Sequence, residues 1–242
     1  MSALPDSFKK AAFKIEAIDN RENVVVKQAK AGLNSKHTSI TSLPKRGIDV
    51  FVSAVALLFT LPFIVVIALA IRIQDGGKVL FVQERIGQDG NVFKCLKFRT
   101  MVCDAEARLS YVLENDPAAR QEWNSMRKLT NDPRITWLGN FLRKSSLDEL
   151  PQLFNVLRGD MSLVGPRPIV DAEIALYNDD FEIYSAVRPG ISGLWQISGR
   201  SDVDFKQRVK LDKKYVEKWS FWLDLKIMFL TIPALLAQSG AR

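Results

Sequence analysis

Residues 45–77 read KRGIDVFVSAVALLFTLPFIVVIALAIRIQDGG, and the 22 positions from Val50 to Ile71 carry no charge. A straight helix of that length extends ~33 Å, enough for a hydrocarbon core of about 30 Å. Helices in soluble cores seldom run so far without a polar residue. The stretch is therefore expected to lie in a membrane. Pro62, near its middle, removes one backbone hydrogen bond and clashes with the carbonyl four residues back. Each half is then about as long as half a bilayer. Lys45 and Arg46 stand before the run, Arg72 and Lys78 after it. Positive charge at both ends gives no inside–outside asymmetry. A helix that breaks at Pro62 and returns to the side it entered accounts for both features. A spanning helix with a proline in it is the alternative.

Outward from this run, residues 1–44 form a polar, lysine-rich tail without the cleavage site of a secretory signal. No comparable run follows Gly77. The stretch SFWLDLKIMFLTIPALLAQSG (220–240) is apolar but interrupted by Asp224 and Lys226, and Trp219 and Trp222 suit a membrane interface. Three parts result: the tail, a membrane helix over 45–76, and a catalytic domain over 77–242 lying close to the bilayer. Within that domain, KVLFVQERIGQDGNVFKCLKFRTM (78–101) predicts two strands about a turn at Gln88–Asp89–Gly90. Residues 103–115 and 118–129 have helical period, and Leu147, Leu150, Phe154 and Leu157 give another segment an apolar face. The expected class is α+β: mostly helical with a small β-hairpin, one N-terminal re-entrant membrane helix and interfacial amphipathic helices.

The 242 residues carry a net charge of +7, which calls for an anionic partner: nucleic acid, a membrane surface or a phosphorylated substrate. His37 is the single histidine, and Cys95 and Cys103 are the two cysteines, expected as reduced structural thiols. This excludes Ser-His-Asp and Cys-His catalysis and His-ligated zinc. Chemistry must rest on carboxylates and on Lys and Arg, with or without a hard metal ion.

One stretch supplies the carboxylates: SSLDELPQLFNVLRGDMSLVGPRP (145–168). Ser146 and Glu149 have capping-box spacing, and Pro151 is tolerated in a first helical turn. A helix is expected from about Leu147 or Asp148, placing Asp148 and Glu149 at its positive end, where a phosphate also binds. An ionised carboxylate there is a nucleophile, a magnesium ligand or a cap. Arg143 and Lys144 precede the pair. Arg167, between Pro166 and Pro168, has little backbone freedom and suits bidentate phosphate contact. In VRPGISGLWQISGR (187–200), three glycines between Arg188 and Arg200 let backbone amides approach an anion. Lys97 and Arg99 fall on one face of a strand.

KFRTM, RKSSLDELPQLFNVLRGDMSLVGPRP, VRPGISGLWQISGR and LDKKYV, in that order, resemble the bacterial sugar transferases, the monotopic polyprenyl-phosphate phosphoglycosyl transferases. The similarity runs from about residue 44 to the C-terminus. The resemblance implies transfer of a hexose-1-phosphate from a UDP-hexose to undecaprenyl phosphate, with Mg²⁺, at the cytoplasmic face of the bacterial inner membrane. It makes Asp148 the nucleophile and Glu149 its partner in metal binding or proton handling. Arg143 and Arg167 match phosphate-contacting positions, and Lys97, Arg188, Arg200 and Asp212 match other motif positions. The finer likeness is to the galactosyl- or glucosyl-1-phosphate transferases that prime exopolysaccharide synthesis. Leu61 stands where some members have serine before the membrane proline, and 105–130 is longer than in the shortest members. The competing expectations are a membrane lipid phosphatase with an Asp nucleophile, and a membrane-tethered nucleic-acid-binding module. The latter lacks any recognisable motif, so no nucleic-acid partner is expected.

Overall fold

The computed structural model describes residues 40, 42–126, 129–199 and 204–236. Nearly all of the expected N-terminal tail, and Arg200, lie outside the described residues.

The apolar run forms a single 33-residue helix, α1 (Leu43–Asp75), which Pro62 does not interrupt. Pro44 suits its first turn, and Gly76 ends it in the left-handed region at φ 70°. Among the described residues it is the one helix long and apolar enough to cross a bilayer. Asp49, Ser53, Leu57, Ile67 and Ile71 are its buried residues, and they recur on one narrow face. Around the rest, Phe51, Leu58, Phe59, Phe63, Val66 and Ile73 are exposed.

Both ends of α1 are fixed to the same body. Lys45 donates to Asp224 at 2.7 Å and to the Val164 carbonyl at 3.3 Å. Arg46 donates to the carbonyls of Val156 and Leu157 at 2.6 and 3.0 Å. At the other end Ile67 and Ile71 pack with Phe98 and Leu142, and Asp75 pairs with Arg99. The cations expected to guard the start of a membrane run thus turn inward. Arg46 satisfies carbonyls at the negative end of a short helix, where a cation is favoured.

The predicted hairpin is present: β1 (Leu80–Ile86) pairs antiparallel with β2 (Val92–Phe98), from Leu80 opposite Phe98 to Ile86 opposite Val92. Asp89 and Gly90 at its turn both have positive φ, 58° and 74°, the geometry Asp-Gly tolerates. Two helices follow as expected, α2 (Ala105–Asn115) and α3 (Pro117–Met126). Then come α4 (Trp137–Ser145) and α5 (Gln152–Arg158).

Buried Asn155 joins α5 to β2. Its Oδ1 accepts from the Leu96 amide at 3.0 Å, and its Nδ2 donates to the Lys94 carbonyl at 2.7 Å. Stranding either group would cost about 1–3 kcal/mol, so the strand that carries Lys97 is held at a fixed distance from α5.

A second sheet was not expected: β3 (Ser162–Val164) pairs parallel with β4 (Gly190–Ser192). Its glycines serve the crossing of two backbones. A Cβ on Gly190 would lie 2.1 Å from the Gly165 amide nitrogen, and one on Gly193 2.3 Å from the Gly165 carbonyl oxygen. The expectation that Gly190 and Gly193 open the backbone to an anion is thereby corrected for these two positions.

The short helices α6 (Ile174–Tyr177), α7 (Phe181–Ser185) and α8 (Leu194–Ile197) lead to α9 (Phe205–Glu217) and α10 (Phe221–Leu236). Asp224, read as a charge interrupting an apolar run, is buried on α10. It accepts from Tyr215 at 2.8 Å and from Trp219 at 3.0 Å, besides Lys45. Trp219 is therefore tied inward, whereas Trp222, Phe229 and Ile232 are exposed.

Candidate active site

Thr136 caps α4, accepting from the Gly139 amide at 2.8 Å. That helix ends at Ser146, which turns the chain in the left-handed region at φ 55°. A single 3-10 turn over Leu147–Glu149 follows, and α5 starts only at Gln152. The expected helix start at Leu147 or Asp148 is corrected accordingly. The acidic pair sits at a junction between two helices, and the capping box does not form. The Ser146 side chain makes no cap bond, and the Glu149 carboxylate goes instead to Lys97 at 2.7 Å. Packing decides this. Leu147 and Leu150 join the cluster of Ile67, Ile71, Phe98 and Leu142, while α5 buries Gln152, Leu153, Asn155 and Val156. Phe154, expected on the apolar face, is exposed.

Asp148 is half-buried beside Glu149, Lys97 and Arg143. Burial first, and then the Glu149 charge, push its carboxyl up to about 6, against the pull of Lys97 and Arg143. Arg143 is aimed by its Nε, which donates to Thr100 Oγ1 at 2.9 Å. Arg167 lies over the Trp195 ring, 5.1 Å from its centroid. The segment that carries it is tied to the hairpin, because Arg85 donates to the Pro168 carbonyl at 2.9 Å. These groups line one cleft of about 1390 Å³, together with apolar Leu80, Phe81, Leu153 and Ile191 and with Ala56 and Thr60 of α1.

Asp148, Glu149, Lys97, Arg143 and Arg167 are thus brought together as expected. Two candidates are not, and a third lies outside the described residues. Arg188 donates to the Gly159 carbonyl at 2.8 Å and lines a small cavity beside Lys45 and Arg46. Asp212 is 1% exposed, accepts from Tyr177 at 2.7 Å, and is pushed up to about 7, chiefly by burial. It lies in the core, with Arg167 near enough to influence it. Arg200 is outside the described residues. Arg99, the strand companion of Lys97, is committed to Asp75. Cys95 is buried as expected of a structural thiol, but Cys103 is exposed.

Arg85 and Trp195 were missed. The signal for Arg85 was the alternation that puts Gln83 and Arg85 on one face of a strand. The signal for Trp195 was its place in a loop already flagged for its arginines. For a divalent ion, no group of three or more His, Cys, Asp or Glu occurs among the described residues. The Asp148–Glu149 pair fits an ion that takes one or two carboxylates and completes its shell with substrate phosphates and water. Burial raises Asp148 most, and the repulsion from Glu149 that adds to it is what such an ion relieves.

Residues 40–238 match the family described as Bacterial sugar transferase. The chain is 46% identical over 202 residues to the exopolysaccharide production protein ExoY of Sinorhizobium fredii, covering 84% of this chain and 89% of that protein. It is 48% identical over 207 residues to the UDP-galactose-lipid carrier transferase of Erwinia amylovora, covering 86% of this chain and 43% of that protein. It is also 48% identical over 197 residues to the undecaprenyl-phosphate galactose phosphotransferase of Salmonella typhimurium, covering 81% of this chain and 41% of that protein. The chain spans less than half the length of the Erwinia and Salmonella relatives, and most of ExoY. A match over this extent, at nearly half identity, places the chain in the bacterial sugar transferase family.

Proposed function

We propose that the chain transfers a hexose-1-phosphate, galactose or glucose, from a UDP-hexose to undecaprenyl phosphate, priming exopolysaccharide synthesis through a phosphosugar carried on Asp148. The observation that carries this reading is Asp148 itself: a half-buried carboxylate in a large cleft, held among Lys97, Arg143 and Glu149. The names of the relatives support the acceptor and the hexose.

In the first step an oxygen of ionised Asp148 attacks the donor's β-phosphorus. The bond from that phosphorus to the bridging oxygen breaks, and UMP leaves with the electron pair. In the second step an oxygen of the lipid phosphate attacks the same phosphorus and returns the pair to Asp148. Two half-reactions suit substrates that arrive from water and from lipid. Lys97 and Arg143 neutralise charge on the transferred phosphoryl group. Mg²⁺, held by Asp148 and Glu149, would supply further neutralisation of the donor's diphosphate.

The exposed apolar side chains of α1 and α10 form the kind of continuous surface that marks a membrane contact, which supports burial in a bilayer; the bacterial inner membrane and its cytoplasmic face belong to the proposed reaction. A helix whose two ends both dock on one domain supports a course with both ends on one side of the bilayer, but the break at Pro62 on which the expected re-entry rested is corrected, because α1 runs through it. Single cysteines placed at Ser42 and Gly77 are expected to react with an impermeant thiol reagent from the same side. Labelling from opposite sides contradicts the re-entrant course.

A pH profile reports on the nucleophile. Asp148 attacks only when ionised, so kcat/KM for UMP release is expected to rise with pH through an acid limb, which bound Mg²⁺ would place below the value of about 6 that burial and Glu149 set. Glu149→Gln removes a like charge, and the limb is expected to move down. A limb that stays or moves up in that variant separates Glu149 from Asp148. Screening UMP release across UDP-glucose, UDP-galactose and their N-acetylated counterparts tests the function as a whole. Release of inorganic phosphate from the lipid, without UMP, would favour the phosphatase.

A further inference from the structure

Of the three glutamines that line the cleft among the described residues, two are committed to neighbours. Gln83 accepts from Arg85 at 2.6 Å, and Gln196 donates to the Ile191 carbonyl at 3.1 Å. Gln152, the third, opens α5 and is only 2% exposed, yet its amide makes no hydrogen bond among the described residues. Neither of its amide atoms is sealed from solvent, so the small open part of the side chain faces the cleft. Asn155, the next buried polar side chain on α5, shows the contrast: its amide is bonded to Leu96, Lys94 and Asp160. A buried amide without a partner destabilises the fold, and in a native protein it calls for an explanation.

The position of Gln152 supplies one. The chain runs in helical conformation from the 3-10 turn at Leu147–Glu149 through Leu150 and Pro151 into α5. Gln152 therefore follows Glu149 by three residues and Asp148 by four, spacings at which Cβ atoms on one helical face lie about 5–6 Å apart. Helical side chains lean towards the N-terminal end, which directs the Gln152 amide towards the acidic pair. All three residues line the same cleft.

We infer that Gln152 is a further catalytic residue, whose Nε2–H donates to a non-bridging oxygen of the phosphoryl group transferred to and from Asp148. This inference rests on the proposed two-step transfer and adds to it a neutral donor beside the cations Lys97 and Arg143. Such a donor stabilises charge on the phosphoryl oxygens without setting another cation against the nucleophile. Both displacements occur at one phosphorus, whose non-bridging oxygens stay attached throughout. The contact therefore serves both half-reactions, and the amide neither gains nor loses a proton in either.

The test compares full-length wild type, Gln152→Met and Gln152→Asn in detergent. Adduct formation is followed with UDP-hexose labelled in the β-phosphate, discharge on adding polyprenyl phosphate, and the melting temperature without substrate. Gln152→Met, similar in length but without the donor, is expected to slow both half-reactions by about 30-fold. Its melting temperature should be unchanged or higher, because the amide it replaces has no protein partner to lose. Gln152→Asn, whose amide stops one methylene short, is expected between wild type and Gln152→Met in both steps. Slowing of one half-reaction alone places the amide on the nucleotide or the lipid and overturns the inference. Gln152→Met rates within about threefold of wild type overturn it too, as does slowing accompanied by a melting temperature several degrees lower. Wild type that releases UMP without any adduct overturns the covalent route instead, and the UMP-release rates of the two variants then decide on Gln152. Wild type that releases no UMP from any UDP-hexose overturns both.

Discussion

Asp148→Asn is expected to lower UMP release by roughly 10³-fold or more, the scale of losing a covalent nucleophile, with no loss of stability. Asparagine keeps the shape of the side chain but has no anionic oxygen to offer phosphorus. The stability half follows from the sign of the Asp148 shift. Its carboxyl is raised in the folded protein, to about 6 from the usual value near 4, so folding favours the neutral form. Stability from this group is fully present below about pH 4 and is lost as pH rises through about 6. At pH 7.5 the ionised group then costs the native state roughly 1–2 kcal/mol, allowing for its partial exposure. Removing it should leave the melting temperature unchanged or higher at pH 7.5, with no difference below pH 4. An inactive variant that also melts several degrees lower at pH 7.5 would point to a structural role for Asp148.

Lys97→Met carries the second-largest expected effect, a loss of roughly 10²–10³-fold. Lys97 is the ion-pair partner of Glu149 at 2.7 Å and the first of the cations pulling Asp148 down. Without it both carboxylates lose a counter-charge, so Asp148 is harder to ionise. The pH limb should move up, opposite to the shift expected of Glu149→Gln. Opposite displacements in two variants of one ion pair cannot come from a general loosening of the site. A Lys97→Met limb that moves down, or an undiminished rate, would remove Lys97 from the chemistry.

Much of this was legible in the chain because the signals were local. An uncharged run of 22 residues fixes a long apolar helix, and Asp89–Gly90 fixes a hairpin turn whose register brings Lys97 beside the acidic pair. What escaped depended on residues distant in sequence. The β3–β4 pair joins segments separated by about 25 residues, and it needs glycines because backbones cross, a requirement that looks the same in sequence as an anion-binding loop. Ser146 and Glu149 have capping-box spacing, yet Glu149 is claimed by Lys97, 52 residues earlier. Asp224 and Lys45 looked like limits of membrane segments, but they face each other 179 residues apart in the chain. Burial explains Asp212 as well. The motif marks its position, but only packing shows it in the core behind Arg167 rather than in the cleft.

The central claim is a sugar phosphate held on one named carboxylate. Full-length protein in detergent, mixed with UDP-hexose in the absence of polyprenyl phosphate, acid-quenched and examined by intact mass spectrometry, tests it most directly. The account predicts a mass increase of one hexose phosphate that maps to Asp148, disappears on adding polyprenyl phosphate, and is absent from Asp148→Asn. Lipid-linked sugar accumulating at the normal rate while the protein keeps its unmodified mass, or an adduct that persists in Asp148→Asn, would contradict it.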